Sequence, residues 1–398
     1  MNYSKTEDWI LSRLPSYQAI GKKAYNPGLN NVTKFVSALE LSLDSLNIIH
    51  VGGTNGKGST SAYISSILQE SKYKVGIFTS PHFFDFRERI KINNKKIEKS
   101  FIVNFINDNK NLIEKLELSF FELSFCISLA YFIKSKVDYS IIEVGLGGRL
   151  DATNIIYPLI SVITNISYDH TDILGDTLEK IANEKAGIFK KNSKIIIGER
   201  NKIVDEVFIK KAKEVSSSIT FVPDLNDQVN YSNVNYLNTN IKTAVHTCRA
   251  LNLNNVDNDS ILSGISNINK NSQLIGRWTT LSNTPKIIFD AAHNLAGFKS
   301  ISSQLDKTKY NKLHVILAFI KGKNITELIS TLPLNSNIYY TSINMERGMT
   351  QSEIIQNVGR SIIFDENPKR LLDTVKGHCS DQDTILITGS NFIAKSIL

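Results

Sequence analysis

A glycine turn set between a strand pattern and a helix pattern constrains this chain more than any other stretch. The apolar run Leu46-Asn47-Ile48-Ile49-His50-Val51 reads as a buried parallel strand. Gly52-Gly53-Thr54-Asn55-Gly56-Lys57-Gly58-Ser59-Thr60 follows it. In the next stretch Ile64, Ile67 and Leu68 fall at i, i+3 and i+4 on one helical face. Strand, glycine turn and helix form the setting in which backbone N–H groups and a helix N-terminus hold phosphates. Glycines let the backbone approach an anion, Lys57 supplies a point charge, and Ser59 or Thr60 offers a hydroxyl. The strict phosphate-loop pattern is not met, because it asks for glycine at Val51 and a hydroxyl residue at Gly58. A plain tight turn is the alternative. The run Gly56 to Thr60 in this setting favours a nucleotide triphosphate.

The same alternation continues along the chain. Helices are expected over residues 1–20 (ended by Pro15) and from Val32 to Leu43, with a turn at Tyr25 to Leu29 between them. Strands follow at 74–79, 139–144, 159–164, 194–198 and 219–222, and helices at 101–116, 121–135, 178–188, 201–215, 239–252 and 257–267. A polar run at 269–273 leads to a hinge at about 270–284, which divides the chain into residues 1–275 and 284–398. Beyond it, strands near 286–290, 313–318, 337–341, 361–364 and 383–388 repeat the pattern. Strands alternating with helices predict two doubly wound α/β domains with parallel sheets and right-handed crossovers. Ligands of such sheets bind outside the C-terminal strand edge.

Composition narrows the class. A length of 398 residues fits about two to three domains. With 41% hydrophobic and 21% charged residues the chain is an ordinary globular one, and no apolar run nears the roughly 20 residues of a membrane span. The N-terminus has no signal-peptide pattern, so the expected location is the cytoplasm. Cys126, Cys248 and Cys379 lie far apart and read as buried free thiols, not as disulfides or zinc ligands. The net charge of +8 is spread along the chain, which favours small polyanionic substrates over nucleic acid.

Several residues at strand ends carry the chemistry. Glu143 closes a strand otherwise made of Ile and Val, where a carboxylate needs a cation or a donor; a cap or loop hydrogen bond is the plainer role. His170 follows Asp169 in the loop after the next strand and by itself reads as a surface or capping residue. Ser80 alone is a turn serine before Pro81. Three such donors beside a triphosphate loop suit Mg²⁺. Lys185, near Glu184 and Lys180, reads by spacing as a solvated lysine. Arg277 and Asp290 either reach the nucleotide or form an ion pair between domains.

The runs GGTNGKGS, SPHFFDFRERI, EVGLGGRLDATN and ITNISYDHTDILGDTLEKIANEKAGI closely resemble the folylpolyglutamate synthase/dihydrofolate synthase family, relatives of the Mur ligases. Gly276-Arg277 and DAAHN extend the resemblance, and the matching blocks run from about residue 26 to Thr388-Gly389-Ser390. Ala291 stands where the family usually has glycine, and Leu274-Ile275 where a proline is usual.

The resemblance implies a P-loop ATPase-like Mur ligase central domain and a smaller, Rossmann-like C-terminal domain. It implies an ATP-dependent ligase that activates a pteroate or folate carboxylate as an acyl phosphate, which the amine of L-glutamate attacks. Thr54, Asn55, Gly56, Lys57, Gly58 and Ser59 would cradle the phosphates. Asn240, Arg277, Asp290 and His293 would add nucleotide contacts. Ser80, Glu143 and His170 would hold Mg²⁺, with Lys57 and His170 taking part in catalysis. Lys185 matches a lysine that carries a carbamate in this family. The pterin side matches Pro27, Gly28, Leu29, Phe121, Glu122, Leu150, Asp151 and Ala152. The implied partners are dihydropteroate or a reduced folate and L-glutamate, with no nucleic acid, no membrane and a monomeric state. Closure of two domains over the acyl phosphate is expected, since water would destroy it. Two other activities stay open: polyglutamate extension alone, or a phosphate-loop protein without ligase chemistry. A peptidoglycan ligase fits the EVGLGGRLDATN and SPHFFDFRERI blocks less well.

Overall fold

The computed structural model describes residues 2–15, 21, 27–223, 230–359 and 361–398. The expected turn residues Tyr25 and Asn26, and the end of the first expected helix at 16–20, lie outside the described residues. The chain divides into two compact units, Met1–Leu274 and Ile275–Leu398.

In the first unit, β1 (Ile48–Gly52), β2 (Val75–Phe78), β3 (Ile90–Ile92), β4 (Lys95–Lys96), β5 (Tyr139–Glu143), β6 (Ile160–Ile163), β7 (Lys194–Ile197) and β8 (Ser218–Phe221) form one sheet. Their order is β4-β3-β2-β5-β1-β6-β7-β8. β1 is parallel to β5 and β6, with Val51 opposite Glu143 and Gly52 opposite Ile163. These central strands are buried along their whole length, as their continuous apolar runs require. Successive side chains serve opposite cores. Ile48, Phe78 and Ile142 join a Phe-rich cluster with Phe125, Leu129 and Phe132, while Ile49, Ile77 and Ile141 pack with Ile64, Ile67 and Val245.

One expectation needs correcting. The first sheet is not wholly parallel, since β3 runs antiparallel to β2 and β4 antiparallel to β3. Only residues 79–89 join β2 to β3, and no crossover helix of the usual length fits there. The second unit shows the same feature. Its strands are β9 (Thr279–Asn283), β10 (Lys286–Phe289), β11 (Leu313–Leu317), β12 (Asn337–Thr341), β13 (Ile363–Asp365) and β14 (Thr384–Thr388), in the order β13-β12-β11-β14-β10-β9. Asn283 pairs with Lys286 across a tight link, so β9 and β10 form an antiparallel hairpin. Both sheets are therefore mixed, parallel except at one edge, where β3 and β4 or β9 run antiparallel. Cys126 and Cys248 are buried free thiols, whereas Cys379 is only half-buried.

The helix Lys57–Glu70 is the piece that carries the glycine turn, and its neighbours hold it in place. Ser66 Oγ donates to Gly264 O at 2.6 Å, and Asn271 Nδ2 donates to Ser66 Oγ and to Glu70 Oε1. Gln69 Nε2 donates to Asn271 O. The polar run at 269–273 is thus fastened to this helix, and Lys91 Nζ ties Ser272 O back to β3. A Cβ at Gly264 would lie 2.5 Å from Ile67 Cα, so only glycine allows the two helices this approach. Gly264→Ala is expected to destabilise the first unit by roughly 1–3 kcal/mol through overpacking against backbone. The check is the urea midpoint of that unit, and an unchanged midpoint contradicts the packing argument.

Candidate active site

Two glycines shape the turn after β1. Gly53 has φ +139° and Gly56 φ +82°, both on the side that favours glycine. A Cβ on Gly53 would fall 1.9 Å from Thr164 Oγ1, and one on Gly56 would fall 2.2 Å from Asn240 Oδ1. Asn240, expected as a nucleotide contact, is buried and packs directly against the turn. The loop after β6 clasps the turn from the other side. Thr54 N–H donates to Asn165 O at 2.9 Å, and Asn55 N–H to Asn165 Oδ1 at 3.0 Å. Thr54 Oγ1 donates to Ser167 O and accepts from Ser167 N–H, both at 3.1 Å. Thr164 Oγ1 donates to Asn55 O.

The helix starts at Lys57, so its first N–H groups and the positive end of its dipole lie at this turn. The hydroxyls of Ser59 and Thr60 are buried without a hydrogen-bond partner among the described residues. Lys57 Nζ donates to Gly53 O at 3.1 Å and to Thr54 O at 3.2 Å. Lys185 Nζ donates to the same Gly53 oxygen at 2.9 Å. Lys185 is only 4% exposed, so the solvated-lysine reading does not hold. Burial, aided by the charge of Lys57, lowers its pKa to about 7 against the pull of Asp169 and Asp151. Its helix is docked by the glycine loop after β5. Arg149 N–H donates to Glu184 O, and a Cβ at Gly148 would lie 2.9 Å from Lys185 O.

Glu143 ends β5 and is 3% exposed. Its Oε2 accepts the backbone N–H of Ser80 at 2.8 Å, and its two oxygens lie 3.7 and 3.8 Å from where a Cβ on Gly58 would stand. Glu143 therefore abuts the first turn of the phosphate-loop helix. It is Ser80's main-chain N–H that the structure brings to Glu143. A carboxylate, serine hydroxyls and a helix N-terminus in one place make a donor set that fits Mg²⁺ with phosphate oxygens. His170 sits three residues beyond Ser167, caps the short helix Thr171–Leu174, and has φ +50°. Its N–H donates to Asp169 Oδ1 at 2.9 Å, and its Nε2 is 3.9 Å from the same oxygen.

Sequence reasoning gave no role to Arg89, which is 2% exposed. Its Nε donates to His82 Nδ1 at 2.9 Å, and its guanidinium lies 5.0 Å from the Phe120 ring centre. Burial lowers its pKa to about 10, while Glu143 and Glu88 pull it back up. The available signal was an arginine directly before the buried strand residue Ile90. His50 is a second such residue. Its Nε2 meets Thr153 Oγ1 at 2.9 Å, and burial first, then Lys190, lowers its pKa to about 3, so the ring is neutral.

The expected pterin residues divide by the contacts they make. Pro27 is exposed, and Gly28 (φ +140°) has none of the described residues within 4 Å of a would-be Cβ. Leu29 and Leu150 are half-buried. Phe121 lies 5.6 Å from Phe78, with its ring against Gly145. Glu122 forms a capping box with Ser119, and burial raises its pKa. Asp151 accepts from Leu146 N–H and Thr153 N–H and opens the turn Ala152–Ile155. Both carboxylates therefore brace the loops they stand in.

In the second unit, Asp290 follows β10, is 4% exposed, and accepts from Trp278 N–H at 2.9 Å and Ala292 N–H at 3.0 Å. Arg277 Nη1 donates to Gly276 O, and His293 Nδ1 is 3.1 Å from Ala291 O. Ala291, standing where the resembled family has glycine, donates its N–H to Gly276 O.

Comparison with known proteins supplies the family. Residues 51–271 match the Mur ligase middle domain, and residues 276–391 match the Mur ligase glutamate ligase domain. The dihydrofolate synthase/folylpolyglutamate synthase of Buchnera aphidicola subsp. Baizongia pistaciae is 31% identical over 92% of this chain and 89% of its own. The dihydrofolate synthetase of Saccharomyces cerevisiae is 30% identical, over 93% and 97%. The structure of E. coli FolC in complex with DHPP and ADP superposes with a TM-score of 0.87 at 26% identity, covering 99% of this chain and 96% of that one. On the breadth of the family match and the identity to whole relatives, the chain belongs to the Mur ligases, in the dihydrofolate synthase/folylpolyglutamate synthase family.

Proposed function

We propose that this chain is an ATP-dependent ligase that joins L-glutamate to dihydropteroate and extends reduced folates by further glutamates. The observation that carries this reading is the pair Lys57 and Lys185 meeting on the Gly53 carbonyl, beside Glu143 and the N-terminus of a glycine-turn helix. The names of the relatives and the DHPP and ADP of the E. coli structure supply the substrate class. The three free cysteines accord with a reducing cytoplasm as its location.

The chemistry assigned to each group follows from position. Gly53 to Ser59 and the helix N-terminus bind the triphosphate. Lys57 meets the negative charge that grows on the phosphoryl group as the substrate carboxylate takes it and ADP leaves. Glutamate's amine then attacks the acyl carbon, phosphate departs, and an amide remains. Glu143, the Ser80 and Ser59 hydroxyls and His170 would hold Mg²⁺, which supplies neutralisation of phosphate charge when bound. The buried Glu143 is oriented by Ser80 N–H and lies in the field of Arg89. Arg277, Asp290 and His293 are assigned to the nucleotide, and the loops at 27–29, 121–122 and 150–152 to the pterin. Lys185, neutral above about pH 7, is the amine assigned to carbamate formation, because only the uncharged amine adds CO₂.

Incubation with ATP, L-glutamate and dihydropteroate should release ADP and phosphate and yield dihydrofolate; tetrahydrofolate in its place should give the diglutamate. ATP turnover that ignores glutamate overturns the ligase reading. Lys185→Ala should lower kcat by about 10²–10³-fold while ATP affinity changes far less, and wild-type turnover in that variant removes the carbamate. With ¹³C-bicarbonate, the carbamate signal should grow as pH rises through about 7 and should be missing from Lys185→Ala; equal labelling of both proteins speaks against it. Glu143→Gln should lose Mg²⁺-dependent activity, and an unchanged metal titration rejects Glu143 as a ligand.

A further inference from the structure

Three metal-ligating side chains meet in the second unit, away from the residues assigned above. His314 is the second residue of β11, Asp383 directly precedes β14, and Cys379 lies two residues past the helix Pro368–Gly377. β10, β11 and β14 are mutually parallel, so this cluster lies at the strand-start edge of the sheet, opposite Asp290 and Thr388. One donor atom from each of the three residues lies within 4.8 Å of the other two.

The local bonding leaves this arrangement chemically incomplete. His314 is 4% exposed, and its Nε2 is buried without a hydrogen-bond partner among the described residues. The Nε2 to Asp383 Oδ2 distance of 3.9 Å is too long for a hydrogen bond. The other ring nitrogen, Nδ1, is 3.1 Å from the Tyr339 hydroxyl, and the Tyr339 ring stacks on the imidazole at 5.9 Å and 19°. Tyr339 thereby fixes the ring so that Nε2 faces Cys379 and Asp383. Lys312 N–H and Ser380 N–H hold the Asp383 carboxylate from behind, one on each oxygen, and a carboxylate oxygen keeps a second lone pair. A buried imidazole nitrogen with no partner is costly, and a bound cation removes that cost.

We propose that His314 Nε2, Cys379 Sγ and an Asp383 carboxylate oxygen form a site for one divalent transition ion of the zinc class, with water in the fourth position. Zinc takes nitrogen and oxygen at about 2.0–2.2 Å and thiolate sulfur at about 2.3 Å in a tetrahedron, so its donors stand roughly 3.3–3.7 Å apart. The 3.9 Å between His314 and Asp383 is close to that edge. Cys379 is half-buried, and its Sγ lies within 4.8 Å of the other two donors. A mixed imidazole, thiolate and carboxylate set selects zinc over Mg²⁺, which prefers oxygen alone. The Tyr339 hydroxyl plays the outer partner that ligating histidines use to fix their tautomer. On binding, the Cys379 S–H bond breaks, its proton leaves to solvent, and an S–metal bond forms. The ion would pin the loop after Pro368–Gly377 to the starts of β11 and β14, a stabilising clip that does not depend on the ligase reading.

The test uses the full chain stripped of metal, with Co²⁺ as a spectroscopic probe and Zn²⁺ as competitor. Wild type should bind Co²⁺ with a near-ultraviolet thiolate-to-metal band that Zn²⁺ abolishes. Cys379→Ser should lack that band, and Tyr339→Phe should keep it with affinity weakened by about 10–100-fold. In wild type alone, Zn²⁺ should slow alkylation of Cys379 and raise the unfolding temperature. A thiolate band that persists in Cys379→Ser overturns the site. So does Zn²⁺ that leaves both Cys379 alkylation and thermal unfolding of wild type unchanged.

Discussion

One carbonyl oxygen, that of Gly53, organises the charge of the first unit. It accepts from both Lys57 and Lys185, so two ammonium groups stand together over a single neutral acceptor. Like charges a few ångströms apart in a poorly solvated place repel by on the order of a few kcal/mol. The strain resolves unevenly. Burial first, then the neighbouring charge, lowers the Lys185 pKa to about 7, while Lys57 sits where the helix begins. Two lysines and a helix N-terminus at one turn, with Glu143 beside it, are the arrangement on which the proposed triphosphate site rests. Gly53 can present its carbonyl this way only with φ near +139°, a geometry that any side chain would drive into Thr164.

Sheet order explains why the other groups arrive at this point. β1 lies between β5 and β6, and the chain leaves β1 through the helix Lys57–Glu70 to reach β2 on the far side of β5. The ends of β1, β2, β5 and β6 therefore share one edge at a reversal of strand order, where a crevice opens. Register then fixes individual atoms. Val51 opposite Glu143 puts the carboxylate beside the start of the turn, and Gly52 opposite Ile163 puts Thr164 to Ser167 against it. None of these residues needs a long side chain to reach the site, because the strands carry them there.

The parallel core was legible because its apolar runs are continuous and the turn chemistry between them is explicit. The antiparallel edges were not, because β3 has only three residues and β9 is largely polar and not buried, and only the brevity of their connections marks them. For the candidate site, the motif blocks named residues, and the fold brings Lys57, Lys185 and Glu143 to one turn, but their atomic contacts were not legible. Lys185 looked solvated by spacing, since its burial comes from a loop some 35 residues earlier that packs on its helix. Arg89 looked like one charge in a charged run, since its partners His82 and Phe120 converge only in the fold. His314, Asp383 and Cys379 come from three separate elements, and no spacing in the chain announces them.

The buried carboxylates show how far a motif match can be read. Asp151 and Glu122 accept main-chain N–H groups from the turn or cap they stand in, so their charge holds that local geometry. Glu143 differs, because its donor Ser80 comes from another strand end and its oxygens face the first turn of the phosphate-loop helix. A carboxylate satisfied by its own loop can be exchanged only by rebuilding that loop. One held across strands against a helix N-terminus stands where the Mg²⁺ role proposed for Glu143 requires it. The difference lies in which chain segment supplies the donors, and only the folded register of β1, β2 and β5 reveals it.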